Sequence, residues 1–261
     1  MFDNYRHYFN IDPEYFPQVN KAAIEDNPDL WKKYYPHETF VKLIKDTVSV
    51  LNRQQKLSIW VQGEFGTGKS HSVLTLKKLL DATSEETKEY FEKFELDNDL
   101  CNKLQSLKNS EQKILTVHNY GSSSIRGDHN LVFTMQECIE QALKESGIEN
   151  KSGNALKSGV INWLSDKHNK TFFDSLITDE YRDLFGGDTT DEIIEKLNSY
   201  TDIPLTQLMD KIFRVADERN LTVLKLDVKE LGEWIKAVIK DNDLKAIIFI
   251  WDEFSEYFYN N

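Results

Sequence analysis

The chain has 261 residues, of which 39% are hydrophobic and 12% aromatic, so it can bury a core and is not a wholly disordered protein. Its formal net charge of −12 argues against a nonspecific grip on DNA by the whole surface, but it leaves open a local basic groove or a DNA-binding partner. We expect a cytoplasmic protein without a membrane segment, because no apolar run reaches the roughly 20 residues that span a bilayer and the N-terminus lacks the pattern of a signal peptide.

The first part of the chain predicts an irregular arm, a helix, a strand and a second helix. Residues 1–37 mix aromatic side chains with turn-forming residues, as is typical of an irregular arm. Apolar residues recur at helical spacing from Glu38 to Arg53. The β-branched and aromatic run from Leu57 to Gln62 predicts a buried strand that ends in a glycine-rich loop. Lys69 to Leu80 then shows helical spacing again.

A charged segment and a second strand follow. Residues 84–112 combine a helical pattern with many charges, which predicts a solvent-facing hairpin or insertion. Ile114 to His118 predicts a strand, and Leu131 to Lys144 predicts the helix after it. The two cysteines, Cys101 and Cys138, are expected to be free thiols, because neither belongs to a CxxC pair.

The last part of the chain predicts several helices and one strong strand. Residues 150–220 contain several amphipathic helical patterns. Asp227 is suited to cap a helix that continues to about Lys240. The apolar run from Ala246 to Trp251 predicts a strand that ends in Asp252 and Glu253.

The glycine-rich loop has the sequence of a phosphate-binding loop. Its residues are Gly63, Glu64, Phe65, Gly66, Thr67, Gly68, Lys69 and Ser70, followed by His71. Glycines allow backbone angles at which successive N–H groups point inward, and the helix N-terminus adds a partial positive charge. Lys69 is expected to reach the β- and γ-phosphates of a nucleotide, and the Ser70 hydroxyl to bind Mg²⁺. The alternative is a chance match in a turn.

The pair Asp252-Glu253 is the matching second motif. A buried strand that ends in an acidic residue can present Asp252 to Mg²⁺, directly or through water. A glutamate directly after it can polarise the attacking water as a general base. The alternative is that two acidic residues end a buried strand at the surface.

Together these motifs resemble the P-loop NTPases with an additional catalytic glutamate, the class that includes AAA+ ATPases and RecA-like motors. The resemblance implies a three-layer α/β sandwich with a parallel sheet, bound ATP and Mg²⁺, Lys69 and Glu253 as catalytic residues, and Ser70 and Asp252 as magnesium ligands. The stretches 63–71 and 250–257 are also similar to the large ATPases of bacterial phage-defence systems, such as the BREX ATPases. That similarity implies remodelling or movement of DNA or protein, with protein partners or self-association. A nucleotide-gated scaffold or signalling switch with slow hydrolysis is the alternative function.

We predict four segments: the arm 1–37, the first part of the nucleotide-binding core at 38–149, a helical insertion at 150–225, and the part that carries the second motif at 226–261. The insertion is expected to form a lid, a partner-binding face or a structural filler. A complete core of the class has two further strands after the second motif. We therefore expect an incomplete sheet and a chain that belongs to a larger protein.

Several weaker candidates each have an ordinary structural alternative. Tyr35 or His37 could stack on a nucleotide base, or could simply pack within the arm. Asn119 and Ser122 to Ser124 could orient a phosphate or a water molecule, or could form a plain polar loop. Arg126 could contact phosphate or lie at the surface.

Overall fold

A computed structural model of the chain describes residues 29–53, 58–64, 66–121, 125, 127–152, 155–200, 202–221 and 228–260. Residues 1–28 of the predicted arm and the predicted cap at Asp227 lie outside this part of the chain. The chain divides into two compact units, residues 1–111 and residues 112–261.

The first unit is built of helices in its described part. Its elements are a 3-10 helix over Leu30–Lys33, α1 over Glu38–Leu51, α2 over Lys69–Asp81, α3 over Ser84–Lys93 and α4 over Asn98–Lys108. The helices predicted at 38–53 and 69–80 are confirmed. The 3-10 helix packs against α2, and α4 packs against both α1 and α3.

The strand predicted from Leu57 to Gln62 is wrong for the residues that the structure describes. Residues 58–64 have no regular structure, and the Trp60 side chain is 62% exposed. A β-branched and aromatic run forms a strand only where a second strand satisfies its N–H and C=O groups. Within the described ranges, the sheet consists of two strands, both from the second unit. The composition of the segment was therefore insufficient to predict its structure.

The charged segment 84–112 forms the predicted helical hairpin, but its apolar side belongs to the core. A capping box at Thr83 starts α3, and the Asp97 side chain caps α4. The buried side chains of the hairpin include Tyr90, Phe91 and Leu104. The charges therefore cover only the outer face of the hairpin, while its inner face stabilises the unit.

Lys108 is a lysine whose ammonium group is partly buried at the C-terminal end of α2. Its Nζ donates 2.8 Å hydrogen bonds to the Leu79 carbonyl and to Thr87 Oγ1. Desolvation by burial lowers the pKa of Lys108 to about 8, although the charge of Asp81 opposes the shift. The ordinary pKa of a lysine side chain is 10.5, so between these two pH values the folded chain binds fewer protons at this site than the unfolded chain.

The free energy of unfolding is therefore expected to rise with pH from about 8 towards 9.5, because the unfolded state binds the additional proton. The Lys108→Met variant should lack this rise. Urea unfolding at several pH values between 7 and 9.5 measures it. Lys103→Met is the control, because it removes an exposed lysine from the same helix whose pKa is raised by its hydrogen bond to Asp99. Parallel pH profiles of the wild type and Lys108→Met would contradict the prediction.

The second unit combines two strands with a set of helices. Its elements are β1 over Lys113–Tyr120, α5 over Gly127–Glu145, α6 over Ala155–Ser165, α7 over Lys167–Asp179, α8 over Arg182–Phe185, α9 over Thr190–Ser199, α10 over Asp202–Glu218, α11 over Val228–Asp241, β2 over Leu244–Asp252 and α12 over Ser255–Asn260. The predicted strands at 114–118 and 246–251 are confirmed, as are the helices predicted at 131–144, within 150–220 and up to Lys240.

The two strands pair in parallel, and their carboxyl ends lie side by side. The register runs from Ile114 opposite Ala246 to Tyr120 opposite Asp252. Apolar side chains from the strands, including Val117 and Phe249, pack with α5 and α11 in one core. Parallel neighbours require a long crossover connection, which α5 to α11 supply here. This arrangement brings the ends of both strands to one edge of the sheet, where ligands of parallel sheets commonly bind.

The helices of the 150–225 segment share a hydrophobic core with α5. Buried side chains from α6 to α10, among them Leu164, Phe173 and Met209, pack together with Phe133 of α5. This core accounts for the stability of the segment without assigning it a function.

The predicted α/β class is confirmed, with a parallel sheet and with helices between its strands, and the structure is mostly helical. The three-layer P-loop sandwich and the four-segment division remain predictions. None of the helices in the described ranges has both the length and the apolar character that crossing a bilayer requires.

Candidate functional site

Two glycines of the loop before α2 have a left-handed backbone. Gly66 has a φ of 79°, and Gly68, the N-cap residue of α2, has a φ of 83°. Both values lie in the left-handed region, which other residues seldom occupy. The loop is exposed, and α2 begins directly after it at Lys69. Phe65 lies outside the described residues.

The Glu64 carbonyl oxygen organises the loop. It accepts hydrogen bonds from Thr67 Oγ1 at 2.8 Å, from Lys69 Nζ at 2.9 Å and from the Thr67 N–H at 3.4 Å. The Lys69 side chain thus folds back along the loop and passes the position that a Gly63 Cβ would occupy, 3.7 Å from its Cδ. Because Thr67 supplies two of the three donors, Lys69 can exchange the carbonyl for another acceptor while the loop keeps its shape.

The N-terminus of α2 is suited to an anion. Gly68 provides no side-chain cap, and the first turn contains no acidic residue. In contrast, α3 and α9 begin with capping boxes and carry two acidic residues in their first turns. Uncapped N–H groups and the positive end of the helix dipole favour a negatively charged ligand at the start of α2.

The left-handed backbone at Gly68 makes a stability prediction. A Cβ at this position would meet no atom within 4 Å, so the Gly68→Ala variant tests the backbone angle alone. We expect it to lower the free energy of unfolding by about 1–2 kcal/mol. Gly159→Ala, in the middle of α6 and equally free of contacts, should raise it by up to about 1 kcal/mol. Urea unfolding measures both, and equal signs would refute the explanation.

His71, in the first turn of α2, packs against Tyr34. The two ring centroids lie 4.5 Å apart, and burial lowers the pKa of His71 below its usual value. Its Nε2 is buried and has no hydrogen-bond partner among the described residues. His71 therefore packs α2 against the segment before α1.

Two residues are candidates for stacking on a nucleotide base: Tyr35 is exposed, and His37 is hydrogen-bonded through both of its ring nitrogens. Tyr35 is 72% exposed, and its ring meets Phe94 edge-on with centroids 5.9 Å apart. His37 Nε2 is hydrogen-bonded to the Tyr34 hydroxyl at 2.8 Å, and its Nδ1 to Thr39 Oγ1. The structure therefore leaves Tyr35 accessible and gives His37 a local role.

Asp252 ends β2 as a buried carboxylate. It is 6% exposed; its Oδ1 accepts a hydrogen bond from the Glu253 N–H at 3.1 Å, and its Oδ2 is buried without a partner among the described residues. A buried carboxylate oxygen without a donor is costly unless a cation or another group binds it. This oxygen is thus suited to a hard cation such as Mg²⁺.

Glu253 follows in a conformation that its side chain disfavours. Its φ is 56°, in the left-handed region, and its carbonyl accepts from the Glu256 N–H at 3.1 Å at the start of α12. Arg53, Glu95, Asn220 and Asp243 share this left-handed φ, so the backbone angle by itself does not mark a functional site. The turn sets the Glu253 side chain directly after the buried end of β2.

Asn119 shapes the neighbouring turn. Its Nδ2 donates to the Gly121 carbonyl at 3.0 Å, and its Oδ1 accepts a bond from Cys138 Sγ at 3.6 Å. The Gly121 N–H in turn donates to the Asp252 carbonyl at 3.0 Å. Asn119 thus fixes the end of β1 beside Asp252. Ser122 to Ser124 and Arg126 lie outside the described residues. Cys101 and Cys138 are not joined in a disulfide.

The predicted site residues fall into two groups. The loop residues and His71 belong to the first unit, and Asp252 and Glu253 belong to the second. Tyr34 and Ser72 were not among the predicted site residues: Tyr34 contacts His71 in the first turn of α2, and Ser72 belongs to that turn. No protein-family model, curated protein or solved structure matches the chain.

Proposed function

We propose that the chain binds ATP with Mg²⁺ at the loop 63–71 and hydrolyses it. The observation that carries the proposal is the loop itself: left-handed Gly66 and Gly68 lead into an uncapped helix, with the Lys69 ammonium held over the loop by a single carbonyl. A triphosphate supplies negatively charged oxygens, which can accept hydrogen bonds from the N–H groups and from Lys69.

The residues present suit magnesium. On sequence grounds, we assign Ser70 and Asp252 as magnesium ligands: hydroxyl and carboxylate oxygens suit Mg²⁺, and Asp252 Oδ2 is buried without a donor among the described residues. No group of three or more His, Cys, Asp and Glu side chains in the described ranges could hold a metal ion. A small number of protein ligands is typical of Mg²⁺, because this ion is usually bound by one or two carboxylates together with substrate phosphates. When bound, it would neutralise charge on the phosphates.

In this proposal, the site residues have separate roles. Lys69 exchanges the Glu64 carbonyl for the β- and γ-phosphates, and the N–H groups at the start of α2 bind the same oxygens. On sequence grounds, we assign Glu253 to the attacking water: its carboxylate accepts the proton as the oxygen attacks the γ-phosphorus, and the bond from that phosphorus to the β–γ bridging oxygen breaks. The products are ADP and inorganic phosphate.

We further propose that hydrolysis drives remodelling or movement of DNA or protein in phage defence. Phosphate release from the full chain, measured with and without duplex DNA, tests this extension. A DNA motor should be stimulated several-fold by DNA, whereas a nucleotide-gated switch should bind ATP and turn over slowly at an unchanged rate. If the chain binds ATP but DNA does not stimulate its phosphate release, the DNA-motor proposal is refuted and the proposed nucleotide site is not.

A further inference from the structure

A short path of hydrogen bonds joins α5 to the end of β2 through the end of β1. Cys138 Sγ of α5 lies 3.6 Å from Asn119 Oδ1, and Asn119 Nδ2 donates to the Gly121 carbonyl at 3.0 Å. The Gly121 N–H donates to the Asp252 carbonyl, also at 3.0 Å. The last acceptor of the path therefore belongs to the proposed magnesium ligand.

The orientation of the Asn119 amide follows from its two neighbours. A backbone carbonyl can only accept a hydrogen bond, so the amide group that faces Gly121 must be the NH₂ group. The amide oxygen then faces Cys138, whose thiol is the donor. Both ends of the amide are thus bound within the protein, which favours a positioning role for Asn119 over direct contact with a phosphate or a water molecule.

Gly121 needs this support, because it makes its hydrogen bond to β2 from outside the strand. β1 ends at Tyr120, and Gly121 has a φ of 76°, in the left-handed region. A glycine has the widest choice of backbone angles, and it has no side chain that could limit them. The Asn119 side chain spans the turn from residue 119 to residue 121 and restricts this freedom. It thereby keeps the Gly121 N–H directed at Asp252.

Asp252 is the residue whose position depends on this bond. The bond from Gly121 ties the Asp252 backbone to β1 at the point where β2 ends, and the chain turns directly afterwards at Glu253, with a φ of 56°. The Asp252 carboxylate is buried, and its Oδ2 has no hydrogen-bond partner among the described residues. A shift of the backbone at this point would move the oxygen that is suited to a cation.

We propose that Asn119 is a positioning residue for Asp252: its amide holds the turn at Gly121, and the Gly121 N–H fixes the backbone that carries the magnesium ligand. The inference rests on the proposed function, because it concerns the same magnesium site. It adds a residue that does not contact the metal. A ligand that is already held in place binds more tightly, because less ordering remains to be done on binding.

The test is the ATP affinity of the full chain, measured with Mg²⁺ and again with EDTA. The Asn119→Leu variant keeps the approximate size of the side chain and removes both polar ends. We expect it to raise the Kd for ATP in the presence of Mg²⁺ about three- to tenfold. In EDTA the Kd should change by less than about twofold, because Asp252 acts only through the metal. General loosening of the fold would instead weaken binding under both conditions, and that result would overturn the inference.

Asn198→Leu is the matched control. The Asn198 amide also donates to a backbone carbonyl, that of Ile194 at 3.0 Å, but it lies on the exposed surface of α9. The same substitution therefore removes a bond of the same kind away from both strand ends. It should leave both Kd values unchanged, and an effect equal to that of Asn119→Leu would contradict the proposed path.

Asp252→Asn is the reference that separates this inference from the proposed function. It removes the charge of the proposed ligand and is expected to weaken binding only with Mg²⁺. If Asn119 acts through Asp252, the double variant should bind ATP with Mg²⁺ no more weakly than Asp252→Asn alone. Multiplying effects, or wild-type affinity in Asn119→Leu, would overturn the inference, while a Mg²⁺-dependent loss in Asp252→Asn would still support the proposed function. Equal affinities of the wild type and Asp252→Asn with Mg²⁺ would refute the magnesium site and the inference together.

Discussion

The Glu253→Gln variant is expected to bind ATP as tightly as the wild-type chain and to hydrolyse it at least about 100-fold more slowly. An amide cannot accept the proton of the attacking water, whereas its size and carbon skeleton match those of the carboxylate. The variant therefore isolates the chemical role from the strained backbone at φ 56°, which glutamine must adopt just as glutamate does. Phosphate release under saturating ATP measures turnover, and nucleotide titration measures affinity.

The control for this variant is Glu233→Gln, which removes the same charge from the exposed surface of α11, where Glu233 is paired with Lys236. Exposed ion pairs contribute little to stability, so this change should leave binding and turnover unaltered. Turnover of Glu253→Gln within threefold of wild type would show that Glu253 is not the general base. Equal losses of turnover in both variants would show that the overall charge of the chain, and not Glu253 itself, determines the rate.

The Lys69→Ala variant is expected to weaken ATP binding by about 10- to 100-fold, because it removes a charged donor to the phosphates. The fold of the loop should persist. The Glu64 carbonyl keeps both Thr67 donors, and the ammonium that is lost is exposed. The melting temperature of the variant should therefore stay close to that of wild type while the affinity falls.

Lys77→Ala provides the matched comparison. Lys77 lies two turns further along α2, where its ammonium pairs with Asp81 at 2.7 Å. Removing it takes the same charge from the same helix without affecting the loop. An ATP affinity that is unchanged in Lys69→Ala, or lowered equally in both variants, would refute the assignment of the loop as the nucleotide site.

Much of the secondary structure was predictable because the pattern of side chains alone specifies it. The run from Ala246 to Trp251 has enough β-branched and aromatic residues to form a strand, and that strand ends at Asp252 as expected. The segment 57–62 has a similar composition but forms no strand over its described residues. The difference lies in the partner: β2 pairs with β1, and a sequence does not show which strands will find neighbours.

The details of the site were less predictable, because they depend on side-chain directions. Tyr35 and His37 were the candidates in the arm, yet Tyr34 is the residue whose ring meets His71. The three lie within four positions, and only the path of the backbone between the 3-10 helix and α1 decides which of them points at α2. The left-handed backbone at Glu253 was equally hard to predict, because the residue that usually indicates such a backbone is glycine.

The strained turn at Glu253 has a consequence for how this position can change during evolution. Glycine would relieve roughly 1–2 kcal/mol of left-handed strain, against about 0.5–1 kcal/mol for the greater freedom of the unfolded chain. Selection for heat resistance alone would thus favour glycine or asparagine at position 253. Selection for turnover would retain the acid. In the proposed function, selection for hydrolysis therefore opposes selection for stability at this position.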